Sequence, residues 1–132
     1  MTPYSELFMR YIVGFWLVLA TLTVAEAGPA SIEGSWSGSG TVSTRGAVDQ
    51  VHCRVRCTNE SSKSYAVSSV CATESGHYDI TGHVTSAGSN RYRGTVISGN
   101  ENGTVLIFNR GNQLSVSVTS PRGSARITLS RR

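Results

Sequence analysis

The chain has 132 residues, of which 39% are hydrophobic, and its 12 basic and 8 acidic side chains give a formal net charge of +4. A chain of this length makes one core and one domain. Its basic residues are scattered, without the dense run or the basic and aromatic stripe of nucleic-acid binders, so we expect no nucleic-acid partner. The charge indicates solubility, with weak attraction to anionic lipid headgroups or polysaccharide as the alternative.

Residues 1–27 have the pattern of a secretory signal peptide. One basic residue, Arg10, precedes an apolar run from Tyr11 to Val24, and the small-residue triplet Ala25-Glu26-Ala27 follows. The run is shorter than the roughly 20 residues that a membrane-spanning helix needs. We therefore expect cleavage after Ala27, a periplasmic or secreted location, and no stable membrane span in the mature chain. An uncleaved anchor is the alternative.

The remaining residues, 28–132, show repeated alternation with a period of two and no helical periodicity, so they form a single all-β domain. Clusters of Gly, Ser and Asn mark the turns. The links are short enough to require antiparallel neighbours, which predicts an eight-stranded antiparallel up-and-down barrel, with a two-sheet sandwich as the alternative. The predicted strands are Ile32 to Thr44, Val48 to Thr58, Ser64 to Thr73, His77 to Thr85, Arg91 to Ser98, Gly103 to Asn109, Gln113 to Thr119 and Ser124 to Ser130.

Alternation in the last two strands separates an apolar face from a face of Ser, Thr and Arg. This polar face favours a soluble barrel with an apolar interior over an outer-membrane barrel. The same pattern puts Trp36, Tyr78 and Tyr92 on the inner face, among Val and Ile side chains. Such a lining is typical of a pocket for a small apolar or amphiphilic ligand. The alternative is that these side chains fill the interior, because eight strands enclose little more space than that.

Three cysteines in an exported domain predict a disulfide. Cys53 and Cys71 flank the loop at Ser61-Ser62-Lys63 almost symmetrically, so hairpin pairing places them opposite each other. Cys57 is then a buried thiol, with a reactive or intermolecular thiol as the alternative. The spacing does not suit zinc, and no metal or cofactor is predicted.

The segment Gly34-Ser35-Trp36 resembles the Gly-x-Trp that opens lipocalin and related calycin barrels. In that family the Trp closes one end of the barrel and an Arg from the last strand packs over it. The resemblance implies that role for Arg131, with Arg132 or Arg126 as alternatives. The stretch from GSWSGSGTV to NRYRGTVISGNENGTV also resembles small exported β-barrel proteins of alphaproteobacteria without an assigned activity, which implies a periplasmic barrel and no catalytic residue.

No local pattern sets His52, His77 or His83 beside a nucleophile or carboxylate. A polar cluster of His77, Asp79 and His83 is conceivable, but exposed side chains on a strand are the favoured interpretation. The acidic residues lie singly, without a pair for glycoside chemistry. The sequence therefore predicts a non-catalytic monomer that binds a small apolar ligand. The alternative is an envelope structural or interaction protein, or an inhibitor, acting through its loops.

Overall fold

The computed structural model describes residues 31–132, which form a closed barrel of eight antiparallel strands. Each strand pairs with the next along the chain and the last pairs with the first, so the sheet has no free edge. The predicted signal peptide, residues 1–27, lies outside the described residues. Among residues 31–132 no helix is long and apolar enough to cross a membrane. The strands are β1 (Gly34–Thr44), β2 (Ala47–Asn59), β3 (Ser64–Thr73), β4 (Gly76–Ser86), β5 (Arg91–Ser98), β6 (Glu101–Asn109), β7 (Gln113–Ser120) and β8 (Gly123–Arg131).

The predicted up-and-down barrel is confirmed, and the strand limits lie within two residues of those expected from the sequence. A sandwich is wrong because β1 pairs with β8 along nine residues, from Trp36↔Arg131 to Thr44↔Gly123. The turns follow from local chemistry. Between β1 and β2, Arg45 and Gly46 both have positive φ, 46° and 85°, as a two-residue hairpin turn of the favoured type requires.

The interior is apolar and the outer wall is mainly polar, as the alternation predicted, although Val48, Val70 and Ile97 are exposed on it. Outward positions of β1 are all Ser or Thr, at residues 35, 37, 39, 41 and 43. Ser69 and Asn109 are the buried polar residues of the described chain, and no buried side-chain polar atom within residues 31–132 lacks a partner. The apolar core comprises Ile32, Trp36, Val51, Cys53, Cys57, Tyr65, Val67, Cys71, Val84, Val96, Val105, Ile107, Leu114 and Leu129.

Inward-facing glycines allow the strands to approach closely at two seams on opposite sides of the ring, β1–β8 and β4–β5. A Cβ on Gly40 would overlap the carbonyl oxygen of Arg126, and a Cβ on Gly94 would overlap that of His83. Their cross-strand neighbours are Ile127 and Val84. A missing side chain opposite a large one is how small barrels fill a tapered interior and turn their corners.

Substitution of Gly94 by alanine tests this seam. We expect Gly94→Ala to lower the free energy of unfolding by about 3 kcal/mol, the upper part of the usual range for overpacking, because the added methyl meets backbone that cannot rotate away. Gly103→Ala is the matched control, since its Cβ would lie 3.2 Å from the nearest atom, the Thr119 carbonyl oxygen. Urea unfolding of both variants measures the difference, and equal losses would contradict the role of the seam.

Candidate functional site

One end of the barrel is closed by Ile32, Trp36 and Arg131, which together we call the plugged end. Ile32 and Trp36 are both 0% exposed. The Trp36 indole donates its N–H to the Ile32 carbonyl oxygen at 2.8 Å, so the polar atom of this buried ring is satisfied. The short segment before β1 is thereby held against the tryptophan.

Arg131 completes the plugged end from the last strand. Its guanidinium carbon lies 4.3 Å from the centroid of the Trp36 ring, within cation–π range. Nη1 donates to the Glu33 carbonyl at 2.9 Å and Nη2 to the Ser31 carbonyl at 2.6 Å. Trp36 and Arg131 thus satisfy three successive backbone carbonyls, at residues 31, 32 and 33. Of the three arginines considered from the sequence, Arg131 is the one that lies over Trp36.

Two tyrosines pack near the same end. The rings of Tyr65 and Tyr92 meet edge to face, with centroids 5.6 Å apart and planes at 84°. The Tyr65 hydroxyl shares a hydrogen bond of 2.9 Å with the Ser31 hydroxyl. Burial raises the pKa of Tyr92, and the charge and hydroxyl of Tyr65 raise it further. These aromatic side chains therefore reinforce the plugged end.

The structure does not bring Trp36, Tyr78 and Tyr92 together, although the sequence grouped them as one ligand lining. Tyr78 shares the inward strand face of Ile80, as predicted, but it lies beside the β3–β4 turn and is 45% exposed. Its hydroxyl lies 3.5 Å from that of Ser75 in the same turn. Alternation along a strand gives the face of a side chain but not its height in the barrel. Because β4 runs opposite to β1 and β5, its first residues lie at the other end.

That other end, which carries the β1–β2, β3–β4, β5–β6 and β7–β8 turns, we call the mouth. From the mouth inward, β7, β8 and β1 present a continuous row of apolar side chains that remain partly accessible. Val118, Ala125 and Val42 are cross-strand neighbours, and Val116 and Ile127 form the next level. We call these five residues the apolar strip. Deeper in the barrel, Leu114 and Leu129 are 0% and 2% exposed.

Buried side chains of β2, β3 and β5 fill part of the interior. Val51, Cys53, Cys71 and Val96 are all buried, at 6% exposure or less. The predicted disulfide between Cys53 and Cys71 is confirmed, and the two residues face each other in the β2–β3 register. The bridge ties β2 to β3 and occupies interior space on that side of the barrel.

Cys57 is a buried free thiol, as predicted, and is 1% exposed. Burial raises its pKa from 9.0 to about 11, while the positive charge of Arg131 works in the opposite direction. At neutral pH the group is therefore a neutral thiol and not a nucleophilic thiolate. Its role in the described barrel is packing beneath the plugged end.

The histidines lie on the outer wall. His83 Nδ1 is 2.7 Å from Glu60 Oε1, and the two side chains are 68% and 43% exposed. His77 and Asp79 are exposed as well. Within residues 31–132 no three His, Cys, Asp or Glu side chains are grouped to hold a metal. The sequence did not indicate the His83–Glu60 pair because the partners are 23 residues apart and meet only through the β2–β3 loop.

The outer wall beside His83 carries a shallow concavity of about 330 Å³ that spans β2 to β5. Its floor is made of small side chains, among them Ala66, Ser68 and Thr81. This feature depends on cross-strand register and was not predicted. The lining residues are Arg56, Thr58, Ala66, Val67, Ser68, Thr81, Gly82, His83 and Ile97.

Removal of the Arg131 side chain should weaken the whole barrel. Arg131→Ala deletes two hydrogen bonds from a charged donor and the cation–π contact, and we expect the free energy of unfolding to fall by about 2 kcal/mol. Arg132→Ala, at the next position, removes the same charge without these contacts and should change it by less than about 0.5 kcal/mol. Urea midpoints that shift equally would contradict the assigned role of Arg131.

The Cys57 thiol should make stability fall at alkaline pH. Because the folded-state pKa is raised above 9.0 to about 11, the folded state holds its proton more tightly, and stability present below pH 9 is lost as pH rises through 11. Two pKa units correspond to roughly 3 kcal/mol. Rapid-mixing unfolding between pH 8 and pH 11 measures this loss. Cys57→Ala should remove that part of the loss, and an identical pH profile for the variant would contradict it.

Comparison with known proteins gives the architecture a context. No protein-family model and no curated protein matches the chain. Among solved structures, a redesigned β barrel, mFAP1, bound to DFHBI, superposes with a TM-score of 0.66 at 14% identity, covering 76% of this chain and 94% of that one. EF1p2_mFAP2b bound to DFHBI gives 0.68 at 11% with the same coverage. The redesigned barrel b11L5F_LGL gives 0.64 at 17%, covering 76% and 91%. At these identities the likeness establishes the closed β-barrel fold.

Proposed function

We propose that this protein is a non-catalytic periplasmic binding barrel that takes a small apolar or amphiphilic molecule through its mouth. The observation that carries the proposal is the burial gradient along the interior. Ile32 and Trp36 at the plugged end are fully buried, whereas the apolar strip keeps accessible surface. An apolar surface that water reaches from one side only is a favourable place for an apolar ligand.

The ligand must be small. An eight-stranded barrel is just wide enough to be filled by side chains or to hold one small ligand. Here the disulfide and Val96 already occupy part of the interior. The ligand lies against the apolar strip, whose residues nearest the mouth, Val42, Ala125 and Val118, remain partly accessible.

Polar groups at the mouth suit the head of an amphiphile. Tyr78 is exposed there. Hydrogen bonds with the hydroxyls of Ser75 and Thr73 lower its pKa, and the negative charge of Asp49 has a smaller, opposite effect. Arg122 and Glu101 form an ion pair of 3.0 Å between the β7–β8 turn and the start of β6. An apolar pocket with a few polar groups at its rim is the usual composition of a small-molecule site.

Two further lines support the proposal. Two of the similar barrels are described as bound to DFHBI, so this architecture binds a ligand in those proteins. The export pattern of residues 1–27 and the Cys53–Cys71 bridge fit an oxidising compartment such as the periplasm. The exposed histidines and the protonated Cys57 offer no activated nucleophile, which fits a binding role.

Binding can be tested with N-phenyl-1-naphthylamine, a neutral apolar dye whose fluorescence rises in apolar surroundings. We expect saturable binding with one dye per barrel. Ala125→Phe fills the mouth between Val42 and Val118 and should weaken binding at least about tenfold, since a bulky side chain displaces most of the apolar contact area. Ser124→Phe adds the same ring at the neighbouring outward position and should bind as the unmodified protein does.

Circular dichroism checks that both variants keep the barrel, and Ala125→Val gives a smaller insertion if Ala125→Phe does not fold. Equal dye affinity for the Ala125 and Ser124 variants would overturn the mouth as the site. No saturable binding to the unmodified protein would also overturn the proposal, and would favour an envelope interaction protein that acts through its loops.

A further inference from the structure

The formal charge is divided unequally between the two halves of the barrel. Residues 91–132, which form β5 to β8, carry seven arginines and one acidic residue, Glu101, for a formal charge of +6. Residues 31–90 carry four basic and five acidic side chains, for a formal charge of −1. Basic residues that look scattered along the chain are therefore concentrated on one side of the folded barrel.

Cross-strand register assembles part of this charge into a surface on the outer wall. Arg93 faces Leu106, which faces Ser117, which faces Arg126. In the next row Arg91 faces Phe108 and lies 5.3 Å from the centroid of its ring. Strand spacing places Arg93 and Arg126 about 14 Å apart. We call Arg91, Arg93, Leu106, Phe108 and Arg126 the arginine face.

No acidic side chain offsets this charge. Every outward position of β5 to β8 is Arg, Ser, Thr, Asn, Gln, Leu, Ile or Phe. Within residues 31–132 the one arginine–carboxylate ion pair is Arg122–Glu101, which lies at the mouth. Arg91, Arg93 and Arg126 are exposed. Their guanidinium groups are available for an anionic partner, and a planar guanidinium binds phosphate oxygens through two parallel hydrogen bonds.

We propose that the arginine face docks the barrel on an anionic phospholipid bilayer. A bilayer presents phosphate groups over a broad, flat surface. The convex outer wall of a barrel can contact such a surface directly, and no binding groove is needed. Leu106 and Phe108 lie on β6, between the arginines of β5 and β8, and are partly exposed. The arginine face therefore has the mixed apolar and basic character of membrane-surface contacts. Attraction of basic side chains to the negative leaflet surface supplies the affinity.

The same features disfavour nucleic acid. Proteins that bind single strands combine a groove with aromatic faces on which bases stack. The outer wall of β5 to β8 is convex and carries a single aromatic ring, Phe108, which lies beside Arg91. An acidic polysaccharide would use the arginines but gain nothing from Leu106. The bilayer is the partner that uses both kinds of side chain.

The test is co-sedimentation with vesicles of equal parts phosphatidylglycerol and phosphatidylcholine, using the protein in the form that its host produces. We expect Arg93→Gln/Arg126→Gln to lower the partition coefficient about 25-fold, about fivefold for each arginine. Arg54→Gln/Arg56→Gln is the matched control, because it removes the same charge from β2, on the opposite side of the ring from β6. Both double variants change exposed side chains on strand surfaces, and circular dichroism verifies the barrel.

Binding should also weaken as salt rises, since the Debye length falls from about 10 Å at 0.1 M to about 3 Å at 1 M. Equal losses of vesicle binding in the two double variants would contradict docking through the arginine face, because binding would then depend only on the net charge of the protein. Equal binding to pure phosphatidylcholine vesicles would overturn the electrostatic basis. Binding to heparin or duplex DNA without binding to the anionic vesicles would overturn the lipid partner.

Discussion

The contact between Arg131 and Trp36 is the interaction on which the rest of the barrel depends. It joins the last strand to the first, at the end of the β1–β8 register that closes the sheet. The two side chains also donate hydrogen bonds to the backbone carbonyls of residues 31–33, which precede β1. The Ile32 carbonyl is buried with the ring, and leaving it unpaired would cost more than its hydrogen bond contributes. Sealing this end leaves the mouth as the entrance to the interior.

The small interior volume limits how the side chains between the plugged end and the mouth can pack. Glycines at the β1–β8 and β4–β5 seams remove side chains where strands approach most closely, and large neighbours such as Ile127 and Val84 use the space. The disulfide fills the β2–β3 wall. The apolar strip stays partly accessible, so the same limit on interior volume restricts the proposed ligand to a small one. The outer wall is free of these packing demands, which allows it to carry the arginine face.

Features that depend on local pattern were predictable from the sequence. Strict alternation and short turns gave the strands, and the nearly equal distances of Cys53 and Cys71 from one loop gave the disulfide. Features that depend on several strands at once were not. Tyr78 faces inward like Trp36 but lies at the opposite end of the barrel. Alternation along a strand gives the face of a side chain but not its position along the barrel axis. His83 meets Glu60 across a loop, and Arg93 and Arg126 reach one surface only through the registers of three strand pairs.

Hydrogen exchange of the Trp36 indole N–H tests the central claim most directly. If Trp36 and Arg131 seal the barrel as one unit with the strands, this proton exchanges only through global unfolding, at the free energy measured for the slowest strand amides. Trp36 is the one tryptophan in residues 28–132, so the mature chain gives a single indole signal. Exchange through a local opening, with a much smaller free energy than that of the strand amides, would show that the plugged end opens on its own and would contradict the account.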